Sequence, residues 1–177
     1  MLYHMLVKVI VAISDNNGIG KDNQLPWKCR DDMLFFARNT IGTGDNAVVM
    51  GRNTWLSIGK PLRNRMNIVV SSTMKQTDGI TIAKTIESAL AIAENTGINT
   101  LWVIGGASIY KWFLNYEKTN ELVISKIPGQ YDCDVFFPEI DLEKWKENYR
   151  FAVGNSGLEV FYYKNRLKWH DTNNLIE

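Results

Sequence analysis

Apolar residues along this 177-residue chain fall into runs of two kinds. The first kind is continuous and rich in β-branched side chains: residues 5–13, interrupted only by Lys8, and then 47–50, 68–70 and 101–104. Unbroken runs of this sort suit strands covered on both faces, so these four segments are read as central strands. The second kind is spaced for helix. Ile86, Ala89, Leu90 and Ala93 share one helical face, with Thr85 placed to cap its start and Gly97 placed to end it. Ile109, Trp112, Phe113 and Tyr116 form a second stripe that begins directly after Gly105 and Gly106. Near the C-terminal end, residues 149–153 and 158–163 flank Gly154, Asn155, Ser156 and Gly157, a hairpin with its turn residues in place.

Strands alternating with helices require crossovers, and crossovers require parallel neighbours. The predicted fold is therefore α/β: a single domain with a mixed, mostly parallel twisted sheet, flanking helices and a C-terminal antiparallel hairpin. It spans residues 5–165, with 170–177 as a frayed tail. Composition does not change this picture, since 45% hydrophobic and 22% charged residues are ordinary for a globular domain.

Charge narrows the function. Twenty basic residues against nineteen acidic ones leave a formal +1, which gives no electrostatic reason to expect nucleic acid or an anionic membrane as partner. The 5–13 run is too short for a membrane span and lacks a basic leader and a small-residue cleavage site, so the expectation is a cytoplasmic protein. Cys29 and Cys133 stand apart with no paired spacing, and His4 and His170 lie near opposite ends, so free thiols and no metal site are expected.

Four segments carry candidate chemistry. Residues 18–27 mix the permissive Gly18 and Gly20 with an apolar and aromatic end, Leu25, Pro26 and Trp27, and read as a loop that covers something, or as a plain surface connection. Asp31 and Asp32 then open a helix that continues through Met33, Leu34, Phe35 and Phe36. Acidic residues in a first turn meet the helix dipole, which by itself accounts for both. The sharper reading has Asp32 pointing inward, because it shares a face with Phe36; burial beside Phe36, Met33 and Trp27 would raise its pKa. A buried carboxylate without a cation suits a ligand edge with two parallel N–H groups, the geometry a pterin ring offers.

The other two segments each run from a strand through glycine into a helix. In the third, Gly51 leads to Arg52, Asn53, Thr54 and Trp55, and Gly59 and Pro61 close the helix. Free N–H groups at such a start hold phosphate, and Arg52 adds a forked charge; Ser71, Ser72 and Lys84 are placed to join it around a ribose phosphate, although packing alone also explains the pattern. In the fourth, Ile104 leads through Gly105 and Gly106 to Ala107, Ser108, Ile109 and Tyr110. The spacing departs from the dinucleotide GxGxxG fingerprint.

Taken together, LPWKCRDDM from Leu25, VVMGRNTWLSIGKPL from Val48, RMNIVVSS from Arg65, VIGGASIY from Val103 and DVFFP from Asp134 resemble dihydrofolate reductases, over roughly residues 5–165 and in family order. The resemblance implies an NADPH-dependent oxidoreductase passing hydride to C6 of 7,8-dihydrofolate, with protonation at N5, to give tetrahydrofolate for one-carbon metabolism. It implies antifolate binding and a monomer. It makes Asp32 the carboxyl that holds the pterin and promotes its protonation, with Trp27 beside it in the catalytic centre.

By the same resemblance, Ile10, Val11, Leu25, Met33, Phe36, Ile58, Lys60, Leu62, Ile104 and Ser125 border the substrate, and Arg65 grips its glutamate carboxylate. Ala12, Ile19 and Gly20 border the nicotinamide. Gly51, Arg52, Asn53, Thr54, Ser71, Ser72, Lys84, Gly105, Gly106, Ala107, Ser108, Ile109 and Tyr110 carry the other NADPH contacts, with a cis peptide between the paired glycines. The chain departs from the family pattern at Ser125, where many members have threonine, at Asn53, where a basic residue is common, and at Ser108, where arginine occurs. The connection at 41–46 is read as somewhat long. Two rivals are weighed: an NADPH reductase of riboflavin synthesis, which should lack the paired LPW loop and helix carboxylate, and a silent NADPH-binding relative.

Overall fold

The computed structural model describes residues 4–169, so the tail expected at 170–177 lies outside the described residues. Every β-branched run becomes a strand. The first is β1 (Leu6–Ile13), followed by the short β2 (Gly18–Gly20), helix α1 (Arg30–Ile41) and β3 (Asn46–Gly51). Next come α2 (Arg52–Ile58), β4 (Met66–Val70), β5 (Thr81–Ala83), α3 (Ile86–Thr96) and β6 (Thr100–Val103). The chain continues through α4 (Ala107–Asn115), β7 (Glu121–Lys126), β8 (Val135–Phe136), β9 (Trp145–Val153), β10 (Leu158–Asn165) and α5 (Arg166–Trp169).

Eight strands form one sheet in the order β5-β4-β3-β6-β1-β7-β10-β9. All pairs are parallel as far as β1 with β7; β10 then runs antiparallel to both β7 and β9. The mixed, mostly parallel α/β fold expected from the sequence is the one observed. Strands β2 and β8 stand apart as a two-stranded antiparallel ribbon that the sequence reading did not anticipate. Three glycine-rich residues facing a two-residue partner carry no period-2 pattern to detect.

Alternation along β1 divides the core. Val7, Val9, Val11 and Ile13 face one cluster with Ala89, Leu90 and Ala93 of α3 and Ile109, Phe113 and Leu114 of α4. Ile10 faces the other, with Val48, Met50, Trp55 of α2, Ile104 and Trp27, and against it Phe35 and Phe36 of α1 are packed. Helices thus cover both faces of the parallel part, which is why its strands are apolar throughout.

Local signals explain the element ends. Thr85 Oγ1 accepts from the Ser88 N–H and the Thr85 N–H donates to Ser88 Oγ, both at 3.1 Å, a reciprocal cap with serine in the usual Glu/Gln position. Gly97 closes α3 in the left-handed region at φ 71°. The link from α1 to β3 is shorter than the sequence suggested: residues 42–45 only, with the Gly42 N–H bonded to Arg38 O and the Asn46 amide to Thr40 O.

Candidate active site

Parallel strands in register end together, and the predicted site residues lie at those ends. Val49 of β3, Val103 of β6, Val9 of β1 and Leu122 of β7 are aligned, so Gly51, Ile104 to Gly106, Ile10 to Ala12 and Ser125 lie just beyond that row on one edge. The carboxyl edge of an open parallel sheet, where successive crossovers leave in opposite directions, is where such folds take ligands. Here β6 lies between β3 and β1, and β7 lies on the far side of β1.

Asp32 is the chemical centre of this edge. It sits in the first turn of α1, is only 9% exposed, and belongs to no ion pair among the described residues. Burial pushes its carboxyl above the usual carboxylate range; the Ser125 hydroxyl pulls the other way and is the smaller effect. Its charge also reaches Tyr110, whose buried phenol is raised first by desolvation and then by Asp32. Asp31 faces the hairpin instead, accepting a 2.7 Å hydrogen bond from Ser156 Oγ. The inward member of the acidic pair is Asp32, in agreement with the helical register.

Apolar side chains of one core cluster lie on the α1 face of the sheet, where a cleft for a flat ring is expected. Ile10, Ile104 and Trp27 are buried, and Phe36, Ile58 and Leu62 are half-buried against the same cluster. Leu25 and Met33 are exposed by 56% and 66%, so Met33 does not bury Asp32 as the sequence reading expected; one residue on along a helix is a turn of 100°. Trp27 lies edge-on to Tyr131 at 5.3 Å, and its buried indole N–H has no acceptor among the described residues. Val11 needs a correction. Its side chain belongs to the opposite core cluster, because β1 alternates faces, so only its main chain can border this cleft.

Arg65 is fastened through two of its donors. Its Nη1 donates to Thr40 Oγ1 at 2.9 Å and its Nε to Arg63 O at 2.8 Å, while the Thr40 hydroxyl gives its own proton to Phe36 O. Partial burial lowers the guanidinium pKa without a partner carboxylate nearby among the described ion pairs. The fork carries more donors than these two contacts use. Thr40 and Asn67 were missed from sequence: Asn67, buried in β4, bonds Leu62 at both its N–H and its carbonyl and also Arg65 O, fixing the loop that presents Leu62 and Arg65. A lone polar residue in an apolar strand was the available signal. Lys60 is exposed at the rim.

The second half of the edge is built for close backbone approach. The Gly51 N–H donates to Gly105 O at 2.8 Å, the Gly105–Gly106 peptide is cis as expected, and Gly105 has φ 120°. A Cβ on Gly105 would lie 3.1 Å from the Tyr110 ring, and one on Gly51 would lie 3.3 Å from Ile109. Both Cβ positions point back onto Tyr110 and Ile109, so close packing requires glycine there and leaves main chain as the cradle of this edge. Tyr110 supports it from below, donating its hydroxyl to Ile10 O at 2.9 Å, and Ile109 is buried in the core, so these two reach the cradle from behind. Thr54 stands 3.6 Å from where a Gly106 Cβ would be.

Arg52, Asn53, Ser72, Lys84 and Ser108 are exposed, whereas Ser71 is buried and accepts from the Thr73 and Met74 N–H groups. Ala12 pairs with Ser125 across β1 and β7. Gly20 accepts from the Asp134 N–H, tying the ribbon that carries Ile19 to the DVFFP segment. Two open cavities, about 490 and 620 Å³, flank the outer side of α4 and share only Ala107 and Ser108 with the predicted site. Among the described residues no group of acidic, His or Cys side chains is arranged to hold a metal, and no helix is long and apolar enough to cross a membrane.

A carboxyl edge lined by glycines, next to a buried unpaired carboxyl in an apolar cleft, defines an α/β enzyme that brings a nucleotide cofactor against a flat substrate. Residues 6–163 match the family model for dihydrofolate reductase, and the chain belongs to that family. It is 38% identical over 151 residues to the dihydrofolate reductase of Sus scrofa, covering 77% of this chain and 81% of the other. Against the dihydrofolate reductase of Haemophilus influenzae identity is 37% over 151 residues, covering 84% and 90%. The solved structure of dihydrofolate reductase from Enterococcus faecalis, complexed with NADP(H) and RAB-propyl, superposes with a TM-score of 0.81 at 28% identity, over 91% of this chain and 96% of that one. The activity is that of the family, NADPH-dependent reduction of dihydrofolate to tetrahydrofolate.

Proposed function

We propose that this chain binds 7,8-dihydrofolate with the pterin on Asp32 and the glutamate tail on Arg65, and stacks the ring against cofactor held at the glycine edge. The observation that carries the reading is a buried carboxyl with no cation, facing an apolar cleft at the end of a parallel sheet. Such a group is satisfied by a ligand that donates two N–H bonds. When bound, NADPH supplies the hydride. The protein's own work is to exclude water with Ile10, Ile104, Phe36 and Ile58, to hold the pterin edge at the Asp32 oxygens, and to retain near N5 the proton the product requires. The indole N–H of Trp27 is a donor on the same side of the cleft. Arg52, Ser71, Ser72 and Lys84 are assigned to the ribose phosphate, with Asn53, Thr54, Ala107 and Ser108 beside the remaining phosphates and Ala12, Ile19 and Gly20 at the nicotinamide.

The test is the fall in NADPH absorbance when dihydrofolate is added to purified protein, with NADH as control. Turnover that prefers NADPH is expected. Tight NADPH binding without turnover would replace this reading with the silent relative. For the cofactor end, Arg52→Ala should weaken NADPH far more than NADH, and equal losses would remove Arg52 from the ribose phosphate. We further read residues 5–165 as one catalytic domain, acting as a cytoplasmic monomer that takes antifolates in the folate cleft; a formal charge of +1 supports the absence of nucleic acid and membrane partners.

A further inference from the structure

The neighbouring carboxylates Asp31 and Asp32 are tied to two parts of the same sheet edge. Asp32 lies under the influence of Ser125 on β7, while Asp31 accepts from Ser156 in the turn between β9 and β10. These supports are linked, since Ser125 pairs with Val160 on β10, the strand that follows the turn. The turn is seated closely. Gly154, at φ 64°, approaches Asp31 so nearly that a Cβ there would lie 2.2–2.7 Å from the carboxylate atoms, and Gly157 is held near Pro128, 3.1 Å from its own would-be Cβ. Cys29 Sγ is 3.7 Å from the same Ser156 hydroxyl.

The helix start has no fastening of its own. Cys29 is the N-cap of α1 and makes no side-chain cap bond, so the first turn lacks the usual hydroxyl or carboxylate acceptor. A bond from outside, through Asp31, ties the rotation of that turn to the hairpin, as the Phe35–Phe151 ring contact does one turn further on. Rotation matters because successive residues project 100° apart, so turning Asp31 toward the hairpin turns Asp32 into the cleft. We propose that Ser156 and Asp31 form a latch that positions the Asp32 carboxyl for the reduction, which makes Ser156 a positioning residue supplied by the C-terminal hairpin. The proposal rests on the reading that Asp32 holds the pterin.

Releasing the latch lets the first turn shift and water reach Asp32. The groups coupled to that carboxyl are Ser125 on β7 and Tyr110 on α4, and Asp31 adjoins it on its own turn. Ser156→Ala leaves Ser125 and Tyr110 in place and removes the hydroxyl that bonds Asp31 and lies 3.7 Å from Cys29 Sγ. Through bare charge, an uncompensated Asp31 would raise the Asp32 pKa; through repositioning and hydration, the pKa falls toward the ordinary carboxylate range. The two routes have opposite signs.

The experiment measures kcat, the KM for dihydrofolate and for NADPH, and the pH profile of kcat for Ser156→Ala, Ser156→Thr, Asp31→Ala and the double alanine variant, each checked for folding by thermal melt. The expected result is a kcat about fivefold lower in Ser156→Ala with the KM for NADPH unchanged. Its apparent pKa moves down, Ser156→Thr restores both, and the double variant is no worse than either single one. Wild-type kcat, an apparent pKa that stays or rises, or a loss seen only in the melting temperature would overturn the latch. Should Ser156→Ala not fold, Asp31→Ala against Ser156→Thr decides by the same readouts. Asp32→Asn serves as the separate control: full activity there would overturn the reading of the site itself, whatever Ser156 does.

Discussion

Asp32 is held in a position that weakens the fold, and the direction of that cost can be tested. Burial disfavours its charged form, no cation offsets the burial, and the Ser125 hydroxyl only partly compensates. Asp32→Asn keeps the shape and removes the charge. It is expected to lower kcat about 100-fold or more while leaving NADPH affinity nearly unchanged, read by steady-state kinetics and cofactor titration. At the other end of the substrate, Arg65→Lys should raise the KM for dihydrofolate about tenfold with kcat largely kept, because an ammonium cannot both answer Thr40 and Arg63 and fork onto a carboxylate. A kcat loss equal to the KM change would move Arg65 into the chemistry. Single residues were unevenly legible. Helical spacing offered Asp32 an inward face but left Asp31 an equal candidate until the family resemblance singled out Asp32, whereas Thr40 gave no sign in sequence of its role, since a threonine within an amphipathic helix looks like any other surface residue.

At the scale of elements, α3 is the cleanest case of local sequence deciding structure. Thr85, Ser88 and Gly97 supply both ends without help from the rest of the fold. Thr85→Ala should reduce stability by about 1 kcal/mol, a shift of a few degrees in Tm, with kcat and KM unaltered because α3 packs on the face of the sheet away from the cleft. A change in catalysis would show that α3 is coupled to the site. The strands were readable for a similar reason: burial on both faces leaves only apolar positions to choose from, so β1, β3, β4 and β6 stand out as β-branched runs. The β2–β8 ribbon has no such constraint. Its three and two residues pair through glycine and exposed side chains, Val135 and Phe136 among them, and only the folded chain shows that they meet. Likewise Val11 was placed correctly along β1 but on the wrong face, because a run that is apolar at every position does not reveal which side chains point which way.

For the whole molecule, the raised Asp32 carboxyl sets a pH dependence with a definite sign. A group that binds its proton more tightly when folded contributes stability that is fully present below its unfolded pKa and lost as pH rises through its folded pKa. Asp32 therefore makes the wild-type protein less stable at neutral pH than it would be with a neutral group there. Asp32→Asn should melt at a higher temperature than wild type at neutral pH, and the difference should close on acidification below the ordinary carboxylate range. Equal melting temperatures at neutral pH would mean that Asp32 is hydrated in the free protein. Activity should decline over the same upward pH interval if retention of the proton near N5 depends on this carboxyl.

The strand order also bears on how the protein is made. Strand β10 lies between β7 and β9, so everything before residue 158 can be synthesised while one side of β7 still shows its unpaired Leu122, Val123 and Ile124 to the surroundings. An open apolar edge of this kind recruits other chains. On the ribosome, the parallel half of the sheet can gather early, but the nascent chain stays adhesive until its last hairpin leaves the exit tunnel, and a stop codon placed in that hairpin should yield aggregate rather than a weakened enzyme.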